Sequence, residues 1–240
     1  EQGEPAWKSY DTLPNKRRTF PDTDGWRPRN NGGKYSESST LAAGMAFSQN
    51  IATASLLEEL GGPRRLIDYA ANFGFQTQDY PAEMGLALGQ AEVTPLEMTR
   101  FAATVANGGI LATGQPVVGA VDLSGRDRVQ TSALDARVME EETAALTREL
   151  MRLVVLNGTG GASRGTAGRK GYKGDAIGKT GTTDQSKDVW FVGSTPEYAA
   201  ALWIGYDQPK NIRASSSDFA APLWGWWMRE LHDGLSDDAS

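Results

Sequence analysis

The 240-residue chain is 39% hydrophobic and 22% charged, with a net charge of −6. That composition is ordinary for a soluble globular protein, and the length suits one large domain or two small ones. The acidic balance, with no stripe of lysine or arginine, argues against a nucleic-acid footprint. Cysteine is absent, which removes disulfide frameworks and thiolate chemistry. The single histidine, His232, is expected on the surface at the end of the last helix. It leaves a Ser-His-Asp triad or a histidine-based zinc site with only one imidazole. No run approaches the ~20 apolar residues of a membrane span. The chain starts at Glu1 rather than at methionine, which reads as a piece of something longer.

Residues 1–35 look irregular, with prolines at Pro5, Pro14, Pro21 and Pro28. Pro21-Asp22-Thr23-Asp24-Gly25 superficially resembles a calcium loop but lacks the later ligands and closing glutamate, so it reads as a turn. No metal or other cofactor is expected. Ser36 to Thr40 supplies N-cap candidates for a helix carrying Leu41 and Met45. Ser48-Gln49-Asn50 breaks that pattern with residues that favour caps and turns. A second helix spans Ile51 to Leu60 and stops at Gly61-Gly62. Pro63 opens a third, which runs to Phe73. Thr94-Pro95-Leu96-Glu97 has the order of a capping box, followed by Met98, Phe101, Ala102 and Val105 at helical spacing.

Residues 110–130 read as a small hairpin or meander, and Asp135 to Leu156 as a long helix with an acidic start. Asn157 to Gly174 is rich in glycine and basic residues. It has no GxxxxGK[ST] phosphate cradle, so a mobile surface loop is expected. Three strands follow, at Ala176 to Thr182, Asp188 to Ser194 and Glu197 to Tyr206, the last apolar enough to be buried on both faces. Short connections make them an antiparallel meander. A final helix from about Phe219 to Leu231 is expected to lay Leu223, Trp226, Trp227 and Leu231 on the sheet. The fold class is α+β. The parts are a lead-in at 1–35, a mainly helical region at 36–174, and the sheet with its last helix at 175–235.

The stretch Gly178-Lys179-Thr180-Gly181-Thr182-Thr183 organises the rest. A lysine within a strand of small residues either guards a sheet edge or serves a ligand. Gly178 and Gly181 let a backbone or ligand approach closely. A cation beside a row of hydroxyls suits a carboxylate. Ser48 and Asn50, taken alone, read as helix caps.

Taken together, Ser48-x-Asn50 at a helix break and Lys179-Thr180-Gly181 on a strand far downstream match two motif types of penicillin-recognising serine acyl enzymes. The chain resembles the transpeptidase domain of class A (bifunctional) penicillin-binding proteins over roughly residues 20–230. The resemblance is carried by Ser36 to Leu60, Ala87 to Met98, Phe101 to Gly109, and Gly178 to Asp207. It departs at one point: no serine here has a lysine three residues later, so the S-x-x-K nucleophile motif is missing. In the family that motif lies upstream of serine-x-asparagine. The chain therefore looks like the C-terminal part of the domain.

The resemblance implies a penicillin-binding-protein/β-lactamase-like fold with an antiparallel sheet flanked by helices. It implies acyl transfer on the peptidoglycan stem peptide, binding of β-lactams, and no cofactor. Carried over by position, Ser48 would belong to the proton relay to the leaving amine, and Lys179 would bias that relay electrostatically and help hold the substrate carboxylate. Asn50 would hold the acyl donor's amide, and Thr180 and Thr182 its carboxylate. Gly181 would leave room for the ligand strand, and the Thr182 N–H would face the oxyanion. The resemblance also implies an upstream segment or second polypeptide carrying S-x-x-K. The site would sit at the outer face of a bacterial cytoplasmic membrane, in the periplasm. A β-lactamase would need a deacylating glutamate, for which Glu83 is the nearest candidate, and that reading is disfavoured. A non-catalytic module that binds peptide or a protein partner is the alternative from a different class.

Overall fold

The protein is described by a computed structural model that covers residues 7–21, 23–114, 119–121, 124, 127–130, 136–166 and 169–238. The expectations for Pro5, Asp22 and Asp135 lie outside the described residues, as do parts of the 110–130 hairpin and Gly168.

The lead-in is less irregular than expected. Strand β1 (Thr12–Pro14) pairs antiparallel with β2 (Ser38–Thr40). Helix α1 (Leu41–Ala46) follows at once, capped by Thr40, whose hydroxyl accepts from the Ala43 N–H at 3.1 Å. Helix α2 (Asn50–Glu59) starts after a two-residue break beyond Phe47, and α3 (Pro63–Ala71) has proline in its first turn. The third helix stops short of Phe73. That ring instead turns into the core, 5.5 Å from Phe101.

Helix α4 (Pro95–Ala106) carries the capping box read from the sequence. The Thr94 hydroxyl accepts from the Glu97 N–H at 3.2 Å, and Glu97 Oε2 accepts from the Thr94 N–H at 2.7 Å. Glu97 Oε1 also accepts from the Gln76 N–H at 2.9 Å. Strands β3 (Gly119–Val121) and β4 (Asp127–Gln130) pair antiparallel, in line with the hairpin expectation. Helix α5 (Glu141–Asn157) begins later than expected. The preceding residues extend instead, with the Val138 and Met139 N–H groups both donating to the Gly109 carbonyl. Strands β5 (Gly165–Thr166) and β6 (Arg169–Lys170) form a two-residue ladder.

Strands β7 (Ile177–Thr182), β8 (Val189–Ser194) and β9 (Ala199–Ile204) form one antiparallel sheet in the order β7-β8-β9. Helix α6 (Ala220–Asp238) crosses one face, and α4 and α5 cover the other. On the α6 face, Val189, Phe191 and Ala200 pack with Ala220, Ala221, Trp224 and Met228. Trp224 lies 4.9 Å from the Phe191 ring and donates its indole N–H to the Ala200 carbonyl at 3.1 Å. On the other face, Ile177 joins Phe73, Val105, Met139 and Met151.

Three expectations need correction here. Helix α6 does not present Leu223, Trp226 and Trp227 to the sheet; these are 36%, 47% and 40% exposed. The small residues Ala220, Ala221 and Gly225 let the Trp224 face approach instead. A Cβ at Gly225 would fall on the Ser163 carbonyl oxygen. Strand β9 is not buried on both faces. It is a sheet edge among the described residues, and Trp203 is 38% exposed. Apolar content alone does not supply a covering layer. His232 does not end the last helix. It lies within α6, stacked on Tyr172 with ring centroids 4.5 Å apart and within 3.0 Å of the Thr195 hydroxyl.

The segment Asn157 to Gly174, expected as a mobile loop, is pinned at its start. Ser163 is buried, and its carbonyl accepts from the Tyr172 N–H at 3.1 Å. Several of its glycines serve close packing rather than freedom. A Cβ at Gly158 would fall 2.0 Å from the Ala46 carbonyl oxygen.

Glu97 generates a testable stability effect. Burial raises its pKa, but the hydrogen bonds from Thr94 and Gln76 outweigh burial and hold it below the usual 4.5. Its contribution is present above the unfolded-state pKa and is lost as pH falls through the lower folded value. Replacing Glu97 by Gln is expected to destabilise by about 1 kcal/mol near neutral pH, the usual worth of a helix cap. The difference should shrink in acid. Urea melts at both pH values check this, and an equal difference at both would remove the charge from the explanation.

Candidate active site

The site forms where the end of α1, the end of α5 and strand β7 meet. Helix α1 stops at Ala46 and the chain turns through Ser48, whose φ is +52°. A non-glycine residue with a left-handed backbone is strained by about 1–2 kcal/mol. Two hydrogen bonds hold the turn: Ser48 N–H donates to the Met45 carbonyl and Gln49 N–H to the Gly44 carbonyl. Neither Ser48 nor Asn50 caps a helix. Helix α2 receives its cap from elsewhere, because Asn30 Oδ1 accepts from the Ile51 N–H at 3.0 Å. Asn50 Nδ2 donates to the Arg29 carbonyl at 2.8 Å.

The strained turn aims the Ser48 hydroxyl at β7. Lys179 Nζ donates to Ser48 Oγ at 2.8 Å and to the Thr180 carbonyl at 2.8 Å. These side chains are 131 positions apart in sequence. No carboxylate lies within ion-pair distance of Lys179 among the described residues. Lys179 as a whole is half-buried, and burial around its ammonium lowers its pKa to about 8.

The next residues of β7 turn to the other face. Cross-strand register pairs Thr180 with Phe191 and Lys179 with Val192, so Thr180 and Thr182 share the α6 side. There each threonine meets another hydroxyl. Thr180 Oγ1 is 2.7 Å from Thr159 Oγ1. Thr182 Oγ1 donates to Ser216 Oγ at 2.8 Å and accepts from the Ser216 N–H at 3.2 Å. Ser217 Oγ donates to the Thr159 carbonyl at 2.8 Å. Gly181 lies beside Trp190, where an added Cβ would stand 3.2 Å from the Trp190 Cβ. Glu83 accepts from Gln90 at 3.2 Å, at the start of a short 3₁₀ turn, whereas the hydrogen bonds of the Lys179 ammonium go to Ser48 and the Thr180 carbonyl.

Ser48 and Lys179 are thus brought into contact, Asn50 follows Ser48 by two residues as the first residue of α2, and Thr180 and Thr182 line the same strand as Lys179. Sequence reasoning missed Thr159, Ser216 and Ser217. Thr159 lay hidden in a glycine-rich stretch, and the serines in a polar connector. A threonine flanked by glycines directly after a helix was the available signal for the first. For the serines there was none.

Residues 4–224 match the penicillin binding protein transpeptidase domain family model. The chain belongs to that family. It is 34% identical over 227 residues to penicillin-binding protein 1A of Neisseria gonorrhoeae, covering 91% of this chain and 27% of that protein. With penicillin-binding protein 1A of Pseudomonas aeruginosa it shares 27% identity over 255 residues, covering 85% of this chain and 30% of that one. The chain therefore spans little more than a quarter of the length of these relatives. Its fold superposes on the crystal structure of penicillin-binding protein 1A from Haemophilus influenzae with a TM-score of 0.80 at 23% identity, covering 95% of this chain and 40% of that one. It superposes on the PonA1 protein of Mycobacterium tuberculosis in complex with penicillin V with a TM-score of 0.77 at 24% identity, covering 92% and 63%. The transpeptidase-type α+β fold expected from the sequence is the fold observed. No helix among the described residues is long and apolar enough to cross a membrane.

The Lys179 ammonium gives a direct test of the site's electrostatics. Its titration, followed through the side-chain nitrogen by NMR, is expected near pH 8. Because the folded pKa lies below the unfolded one, its contribution to stability improves as pH rises from about 8 toward 10.5. Replacing Lys179 by Met should flatten that rise. A midpoint at the ordinary 10.5 would show the ammonium to be solvated.

Proposed function

We propose that this chain is the C-terminal part of a peptidoglycan D,D-transpeptidase domain, which cross-links stem peptides by serine acyl transfer and binds β-lactams. The observation that carries the reading is the Lys179–Ser48 hydrogen bond at 2.8 Å. An ammonium that donates into a serine lone pair leaves that serine's own proton free to be given away. The reaction has two steps. A serine from the S-x-x-K segment attacks the carbonyl of the donor peptide, forms an ester and releases the terminal D-alanine. An acceptor amine then displaces the serine.

In this reading Ser48 passes its proton to the leaving amine, and Lys179 biases that transfer electrostatically. Asn50 spends one N–H on the Arg29 carbonyl, leaving its other N–H and its oxygen for the donor's amide. Thr180 and Thr182 donate to the terminal carboxylate. For Thr182 this requires its hydroxyl to turn from Ser216, to which it now donates. The Thr182 N–H faces the oxyanion, a contact worth about 3–4 kcal/mol in other acyl-transfer enzymes. Gly181 lets the peptide lie along β7 as an added strand.

The reading also requires the S-x-x-K segment, from an upstream part of the same protein or from a second polypeptide. Two surfaces support such a neighbour. The outer edge of β9 pairs with no strand among the described residues. Phe219, just before α6, and Leu223, Trp226 and Trp227 within it are exposed apolar side chains. The proposed location is the outer face of the cytoplasmic membrane, in the periplasm.

In the complete protein, Thr180→Val and Thr182→Val are expected to slow acylation by a fluorescent penicillin roughly tenfold each, about one hydrogen bond to a charged group. Lys179→Ala should be more severe, since it removes a charge as well as a contact. Unchanged rates in both threonine variants would show that these hydroxyls do not hold the carboxylate. The isolated 240-residue chain is expected to take no label. Mass spectrometry showing the acyl group on this chain alone would defeat the division of labour proposed. A complete protein that binds stem peptide without ever forming the ester would be a binding module instead.

A further inference from the structure

Thr159 stands between the two halves of the site and has no role in the reading above. Its hydroxyl lies 2.7 Å from the Thr180 hydroxyl. Its N–H donates to the Ala46 carbonyl at 3.0 Å, two residues before Ser48. Its carbonyl accepts from Ser217 Oγ at 2.8 Å. Gly158 on one side cannot take a side chain, since a Cβ there would fall 2.0 Å from the Ala46 oxygen. Gly160 on the other would place a Cβ 3.2 Å from both the Phe191 ring and Val154. The peptide carrying Thr159 is therefore fixed on three sides by backbone, core and a neighbouring hydroxyl.

The direction of the hydroxyl pair follows from what a carboxylate needs. A hydroxyl has one proton to give and can accept twice. A carboxylate only accepts, so Thr180 has to spend its one proton on the ligand. The 2.7 Å contact then survives only if Thr159 is the donor and Thr180 the acceptor. Hydrogen bonds in such a chain polarise one another, so donation from Thr159 strengthens the Thr180 donor. Thr180 is 8% exposed, so water is a poor replacement for Thr159.

We propose that Thr159 is a positioning residue: its hydroxyl donates to Thr180 Oγ1 and so commits the Thr180 proton to the ligand's carboxylate. Its backbone ties that hydroxyl to the Ser48 turn. The inference rests on the reading of the site as one for carboxylate-bearing acyl donors.

The test compares acylation of the complete protein by a fluorescent penicillin and by the same penicillin with its carboxylate methylated. Thr159→Val keeps the shape and removes the donor. It is expected to slow acylation by the free acid about five- to tenfold, the worth of one hydrogen bond, and to leave the ester's rate within about twofold. Thr159→Ser is expected to restore the free-acid rate. In a Thr180→Val background, Thr159→Val should add little, because the two groups act as a unit. Should Thr159→Val melt early, Ser217→Ala tests the same network from outside, with an expected loss of about two- to threefold on the free acid alone, the lower end for one hydrogen bond. Equal losses on both probes, failure of serine to rescue, or additive losses with Thr180→Val would each overturn the proposal. So would a Ser217→Ala protein that reacts at the wild-type rate. A wild-type protein that neither penicillin labels would overturn the transpeptidase reading itself and this inference with it. A labelled wild type with an indifferent Thr159→Val overturns this inference alone.

Discussion

An enclosed ammonium that meets no carboxylate among the described residues is the constraint on which this molecule turns. Enclosing an ammonium is costly unless polar groups take over from water. Lys179 is met by one serine oxygen and one carbonyl oxygen, both neutral. Neither partner cancels its charge; burial lowers its pKa to about 8. The enclosed ammonium also explains why the Ser48 turn tolerates a left-handed backbone. The strain there sets an oxygen where the ammonium needs one, and the core around Ile177 and Met151 holds both sides still.

The sheet and helices serve that contact. Helices α4 and α5 cover one face of the sheet and α6 the other, and the edge of β7 that is unpaired among the described residues lies beside Ser48. Alternation along β7 then divides the chemistry. Lys179 reaches toward α1 on one side, and the hydroxyls of Thr180 and Thr182 join Thr159 and Ser216 on the other. One strand thereby carries a cation on one face and two hydroxyls, each bonded to a neighbouring hydroxyl, on the other.

Much of this was legible in the residue order, and the failures have physical causes. The helix starts at Thr40 and Thr94 were readable because caps are local: side chain and backbone partner lie three residues apart. The β7-β8-β9 meander was readable because its connections are short and its strands alternate. The Ser48–Lys179 pairing was legible only through family resemblance, since nothing local links residues so far apart. Glycine misled most at Gly158 to Gly174. A glycine can free a backbone or let another one touch it, and the sequence does not say which until the neighbour is known. The α6 register failed for a related reason. Aromatic residues surround that helix, and the face that packs was chosen by the small residues Ala220, Ala221 and Gly225, which admit the sheet and Ser163. The tryptophans read as core are those left outside.

The contact of Gly158 with the Ala46 carbonyl has a mechanical meaning. With no side chain between them, the end of α5 and the end of α1 touch backbone to backbone, and the next residue is bonded to both that carbonyl and the Thr180 hydroxyl. There is no soft layer in which one half of the site can slide against the other. Displacing the Ser48 turn relative to the Thr180 strand would therefore have to break these backbone and hydroxyl contacts. On the proposed function, a ligand would meet a surface already set, and the adjustment would be its own.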